Sequence, residues 1–113
     1  MGSDDLRREI PPGTLYMLIL KTLKRCGPLH GFGIAQFIAQ TTGSVLQVEE
    51  GTLYPALQRM LVKGWVKAEW RQTENNRRAR YYTLTPAGRK QLQTEVTDFE
   101  AVVRAIGRVI QPA

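Results

Sequence analysis

Apolar residues recur along this chain first with helical spacing, then with the alternation of strands, then with helical spacing again, and that order predicts its elements. Leu15, Leu18, Ile19 and Leu23 form one stripe. Tyr16, Met17 and Leu20 carry apolar surface onto other faces, so a first helix over 13–25 needs cover on two sides. Pro11-Pro12 leads into it and Gly27-Pro28 ends it. A second helix over 31–42 places Ile34, Phe37 and Ile38 at i, i+3 and i+4, and 41–44 is a turn. Leu46 and Val48 alternate with Gln47 and Glu49, enough for a short strand at most. A third helix opens near Glu50 and buries Leu53, Leu57, Met60 and Leu61. Thr52, Pro55, Arg59 and Val62 then lie on its opposite face, flanked by Gln58 and Lys63. Pro55 is tolerated near the first turn, where backbone donors are unpaired, and Gly64 stops the helix.

Strand-like runs at 65–73 and 79–84 flank the turn residues Glu74-Asn75-Asn76-Arg77, which predicts an antiparallel hairpin. Thr85-Pro86 supplies an N-cap and a first helical position for a last helix running to about Ile110. Leu92, Val96, Phe99, Val103, Ile106 and Ile110 repeat along it as a heptad seam, which Val102 and Val109 widen. No second helix of matching length is predicted to cover that seam, so a second copy of the chain is expected there, alongside packing on the first helix.

Length and composition bound the rest. With 113 residues, 42% of them hydrophobic and 23% charged, the chain holds one domain with a true core. No apolar run approaches the roughly 18–20 residues of a membrane helix, and the start lacks the apolar core of a signal peptide, so a cytoplasmic protein without a membrane partner is expected. The single cysteine, Cys26, cannot form an internal disulfide and is expected to be buried and inert.

Charge changes the picture most. Residues 59–90 carry nine lysines and arginines against Glu69 and Glu74, a net +7, whereas the whole chain is +6. The positive charge is therefore localised on the third helix and the hairpin, as suits phosphate. Three helices followed by a basic hairpin is the order of a winged helix-turn-helix, whose third helix enters the major groove. On that reading Arg59 reads guanine and Gln58 adenine, while Arg71, Arg77, Arg78 and Arg80 neutralise phosphates. Tyr54, at the border of the buried face, can pack its ring and reach a phosphate with its hydroxyl. An enzyme is not indicated. His30 is the only histidine, and no carboxylate pair, metal-ligand cluster or phosphate-binding glycine loop accompanies it, so no metal or cofactor is expected. The competing class is a winged-helix module that binds an acidic protein surface.

The run Gly51-Thr52-Leu53-Tyr54-Pro55-Ala56-Leu57, with Gly64 behind it and Tyr82-Thr83-Leu84-Thr85-Pro86-Ala87-Gly88 after the hairpin, resembles the PadR family of bacterial transcriptional regulators. Leu29-His30-Gly31-Phe32-Gly33-Ile34-Ala35 is similar to the segment that opens that family's second helix, so the likeness covers about residues 12–95. The single last helix is similar to its short subfamily. The resemblance implies a homodimeric repressor bound to double-stranded operator DNA and often released by a small ligand. It implies too that Thr52, Tyr54, Pro55 and the outward third-helix residues, Lys63 included, touch the operator and that the last helix joins the protomers. Glu49-Glu50 departs from the family pattern, where Ser and Pro are more usual. Some short members bind flat aromatic drugs between tryptophans of the last helix. No tryptophan follows Trp70 here, so that ligand class is not implied. The expected architecture is thus mainly α with a small β-hairpin: a flexible arm (1–11), a winged helix-turn-helix (12–84) and a dimerisation helix (85–113).

Overall fold

Gly13 takes a φ of +82°, a left-handed conformation that bars the first helix from starting at residue 13. The first helix, α1, accordingly runs Leu15–Cys26, two residues later than expected. The structure, a computed structural model, describes residues 7–112. Four helices carry most of the chain: α1, α2 (Gly31–Thr41), α3 (Glu50–Val62) and α4 (Pro86–Ile110). Between and before them lie β1 (Arg8–Glu9), β2 (Leu29–His30), β3 (Leu46–Gln47), β4 (Val66–Gln72) and β5 (Arg78–Leu84). Two of these short strands are absent from the sequence reading. β1 pairs in parallel with β3, so residues 8 and 9 of the expected flexible arm are tied to the body, and residues 1–6 lie outside the described residues. β2 pairs antiparallel with β5, which makes the predicted two-stranded hairpin a three-stranded sheet of order β2-β5-β4.

α1 is the centre of the molecule. Its Ile19, Leu20 and Leu23 meet Ile34 and Ile38 of α2, Leu53, Ala56, Leu57 and Met60 of α3, Val66 and Tyr82 of the sheet and Leu92 of α4. Each large aliphatic side chain so buried stabilises the fold by about 1.5–3 kcal/mol, and together they fix α3 and the hairpin against one scaffold. Leu61, expected in the buried set, is only half-buried because it lies at the edge of that face. Cys26 is exposed, contrary to expectation. Lys24 and Arg25 are exposed beside it, so the last turn of α1 projects past the elements that cover the rest.

The joint between α3, the hairpin and α4 is tightly made. Gly64 (φ +77°) closes α3, with Trp65 N–H donating to Met60 O at 3.0 Å. The Thr85 hydroxyl accepts from Gly88 N at 3.0 Å as an N-cap and donates to Gly64 O at 2.6 Å, while Thr85 N donates to Trp65 O at 3.1 Å. A Cβ on Gly88 would stand 2.0 Å from Trp65 O, so only glycine admits this approach. Beyond the joint, α4 leaves the body: Leu92 is buried and Val96 half-buried, but Phe99, Val103, Ile106 and Ile110 are exposed.

Candidate nucleic-acid interface

α3 forms as an amphipathic helix, with Glu50 in its first turn favouring the positive end of the helix dipole. Its buried side is Leu53, Ala56, Leu57 and Met60, and Thr52, Tyr54, Pro55, Gln58, Arg59 and Lys63 are all exposed. These six do not form one patch. At 100° per residue, Pro55, Gln58 and Val62 point away from the core, Thr52, Arg59 and Lys63 lean to one flank, and Tyr54 leans to the other. On the first flank Arg59 Nε donates to Tyr16 Oη at 2.6 Å, with its guanidinium 5.7 Å from the centre of the Tyr16 ring. Lys63 Nζ lies 5.2 Å from the Trp65 ring. Thr52 shares a small recess with Glu9, Gln47 and Glu49. On the other flank Tyr54 lies across Gly31, where an added Cβ would stand 2.6 Å from its hydroxyl.

The hairpin register decides which arginines can join Tyr54. Trp70 pairs with Arg80 and Gln72 with Arg78, and directly paired side chains share a face. That face continues the buried one of Val66, Ala68 and Tyr82 outward, so Trp70, Arg78 and Arg80 look back toward α2 and α3. Arg71, one residue out of phase, lies on the opposite face, ion-paired to Glu69 and 5.3 Å from the Tyr81 ring. The structure thus separates Arg71 from the other wing arginines, because strand alternation turns it away. Arg77 lies in the turn, where Asn76 takes φ +60°.

Arg77, Arg78, Arg80 and Tyr54 line one open cleft of about 490 Å³ between hairpin, α2 and α3. Aromatic surface interleaves the guanidinium groups: Phe32 is 66% exposed and Trp70 59% exposed, and Arg78 lies 5.5 Å from the Trp70 ring centre. Cation–π contact of this kind holds a guanidinium in place without spending its hydrogen-bond donors. His30 caps α2, its Nδ1 accepting from Gly33 N at 2.9 Å, and packs edge-on to Tyr81. At the cleft floor, burial holds the Tyr82 phenol above its ordinary ionisation range, with Arg80 pulling the other way. Sequence reasoning missed Phe32 and Trp70 as site residues. Trp70 was detectable by its strand parity with Arg80, whereas nothing local to Phe32 marks it.

No helix among the described residues is long and apolar enough to cross a membrane, and no group of three or more potential metal ligands occurs among them. The model of the PadR-like transcriptional regulator family matches residues 19–94. An uncharacterized 37.1 kDa protein in transposon TN4556 of Streptomyces fradiae is 39% identical over 97 residues, which cover 86% of this chain and 25% of that protein's length. The chain thus spans about a quarter of that relative. A transcriptional regulator from Clostridium thermocellum has the same fold at a TM-score of 0.80 and 27% identity, over 88% of this chain and 95% of that one. A PadR family transcriptional regulator from Eggerthella lenta follows at a TM-score of 0.76 and 25% identity, over 89% and 85%. Members of this family are regulators of transcription, not enzymes. The resemblance in the sequence, the winged-helix architecture and the family match agree, and the chain belongs to the PadR-like family of transcriptional regulators.

Proposed function

We propose that the protein is a homodimeric, sequence-specific DNA-binding repressor. Residues 12–84 form the DNA-binding unit and residues 85–113 the dimerisation helix. One observation carries the reading: Tyr54 of α3 and three wing arginines line one open cleft, and Pro55, Gln58 and Arg59 are exposed on the turns of α3 beyond it. α3 enters the major groove, where Gln58 and Arg59 address base edges, with Thr52, Pro55 and Lys63 beside them. Arg77, Arg78 and Arg80 with the Tyr54 hydroxyl bind phosphates. Arg71 has no place in this arrangement. A second copy covers the seam from Phe99 to Ile110, and a small ligand of unknown identity acts on the dimer to release DNA.

Selection from a library of randomised duplexes tests the reading. A shared, two-fold-symmetric sequence should be enriched, and the enriched duplex should bind at least about 10³-fold more tightly than random duplex at physiological salt. Equal, weak retention of every duplex would instead favour a module that binds an acidic protein surface.

A further inference from the structure

We propose that Tyr16 is a positioning residue for sequence reading: its hydroxyl holds Arg59 in the orientation in which Arg59 reads a base. The inference rests on the base-reading role given to Arg59 above. An unrestrained arginine on a helix surface samples many rotamers and loses that freedom when it makes a bidentate bond. Arg59 has lost much of it already. The bond from its Nε to Tyr16 Oη at 2.6 Å fixes the reach of the side chain, and the Tyr16 ring 5.7 Å away restrains the guanidinium plane. Using Nε leaves the edge with the two terminal nitrogens, which can pair with guanine O6 and N7.

Tyr16 is itself held by something rigid. Its ring meets Trp65 edge to face, 5.4 Å between centres at 79°, and Trp65 sits in the turn locked to the start of α4 by Thr85 and by the glycine-only approach at Gly88. The orientation of Arg59 is thus set by α1 and the α3–hairpin–α4 joint, not by α3 alone. The rival role for the same pair is a brace between α1 and α3. The two roles differ in what they do to discrimination between DNA sequences.

Tyr16→Phe keeps the ring and its packing on Trp65 and removes only the acceptor. The probe is the duplex that the wild-type protein enriches from a randomised library, compared with the same duplex changed at each base pair in turn and with random duplex. The variant should bind the enriched duplex about 3- to 10-fold more weakly, the range for one lost hydrogen bond. Affinity for random duplex should not change. Discrimination should relax at the same base pair as in Arg59→Ala, and adding Tyr16→Phe to Arg59→Ala should change nothing further. Equal losses on both duplexes would show a brace and overturn the proposal. If Arg59→Ala relaxes a base pair and Tyr16→Phe does not, this inference alone fails; if Arg59→Ala leaves discrimination intact, the reading of Arg59 fails and takes the inference with it. A measurement without DNA applies even to a less stable variant. The Arg59 Nε–H resonance should exchange slowly with water in the wild type and faster in Tyr16→Phe, and equal exchange in both would overturn the proposal.

Discussion

At the scale of single residues, two positions around the cleft separate binding from stability. Gly31 has no room for a Cβ, but the atoms it would meet are the far end of the Tyr54 ring, which can rotate away toward solvent. Gly31→Ala is therefore expected to cost within about 1 kcal/mol of stability. It should weaken DNA binding by about 1.5 kcal/mol through a displaced phosphate ligand, as a paired denaturation curve and DNA titration would show. Tyr82 gives a pH signature. Its folded-state pKa is raised, so the stability it contributes is complete below the unfolded phenol's value of about 10 and declines as pH rises through the folded value. Denaturant midpoints across that interval should fall more steeply for the wild type than for Tyr82→Phe; parallel profiles would show that Tyr82 is not the source. Single-residue roles were the least legible part of the sequence. Arg71 reads as one more wing arginine until the register is known, and the Arg59–Tyr16 bond joins residues 43 apart with no local pattern.

At the scale of elements, the periodicity was informative for the long elements and for β3, whose Leu46 and Val48 alternate with polar neighbours, and silent for β1 and β2. α3 opens at the residue expected, because an apolar face, an acidic first turn and a terminal glycine all agree. α4 begins at Thr85-Pro86 and ends at Ile110 as its cap and seam predict. β1 and β2 are two residues each, stabilised by partners far along the chain and not by any alternation of their own. The joint at Gly88 offers an element-level prediction. In an open helix alanine would gain about 1 kcal/mol over glycine. Here the added methyl meets the Trp65 carbonyl, which cannot yield without breaking the bond to Thr85 N. The clash outweighs propensity, and Gly88→Ala should lower unfolding free energy by about 3 kcal/mol, measured by urea denaturation. An unchanged or higher stability would mean that α4 is not clamped to the turn after α3.

At the scale of the whole molecule, the basic interface and the apolar seam lie in different parts of the structure, linked by that joint. The seam was legible as a heptad pattern, and the structure adds where it divides: Leu92 packs on the protein's own core and Phe99 onward is exposed. Phe99→Glu or Val103→Glu should leave the DNA-binding unit folded and shift sedimentation from dimer to monomer, since like charges would face each other across the symmetry axis. A dimer unaltered by both substitutions would place the interface elsewhere. DNA binding through α3 and the wing is tested most directly by a salt titration of wild type and Arg77→Ala/Arg78→Ala on the enriched duplex, with Arg71→Ala alongside. Two phosphate contacts per protomer predict that the double variant lowers the slope of log affinity against log salt by about 2 per protomer, or about 4 for a dimer on two half-sites. Sequence preference and the Arg71→Ala slope should stay as in the wild type. A slope unaltered in the folded double variant would contradict the account, because the basic cleft of the wing would then face something other than DNA.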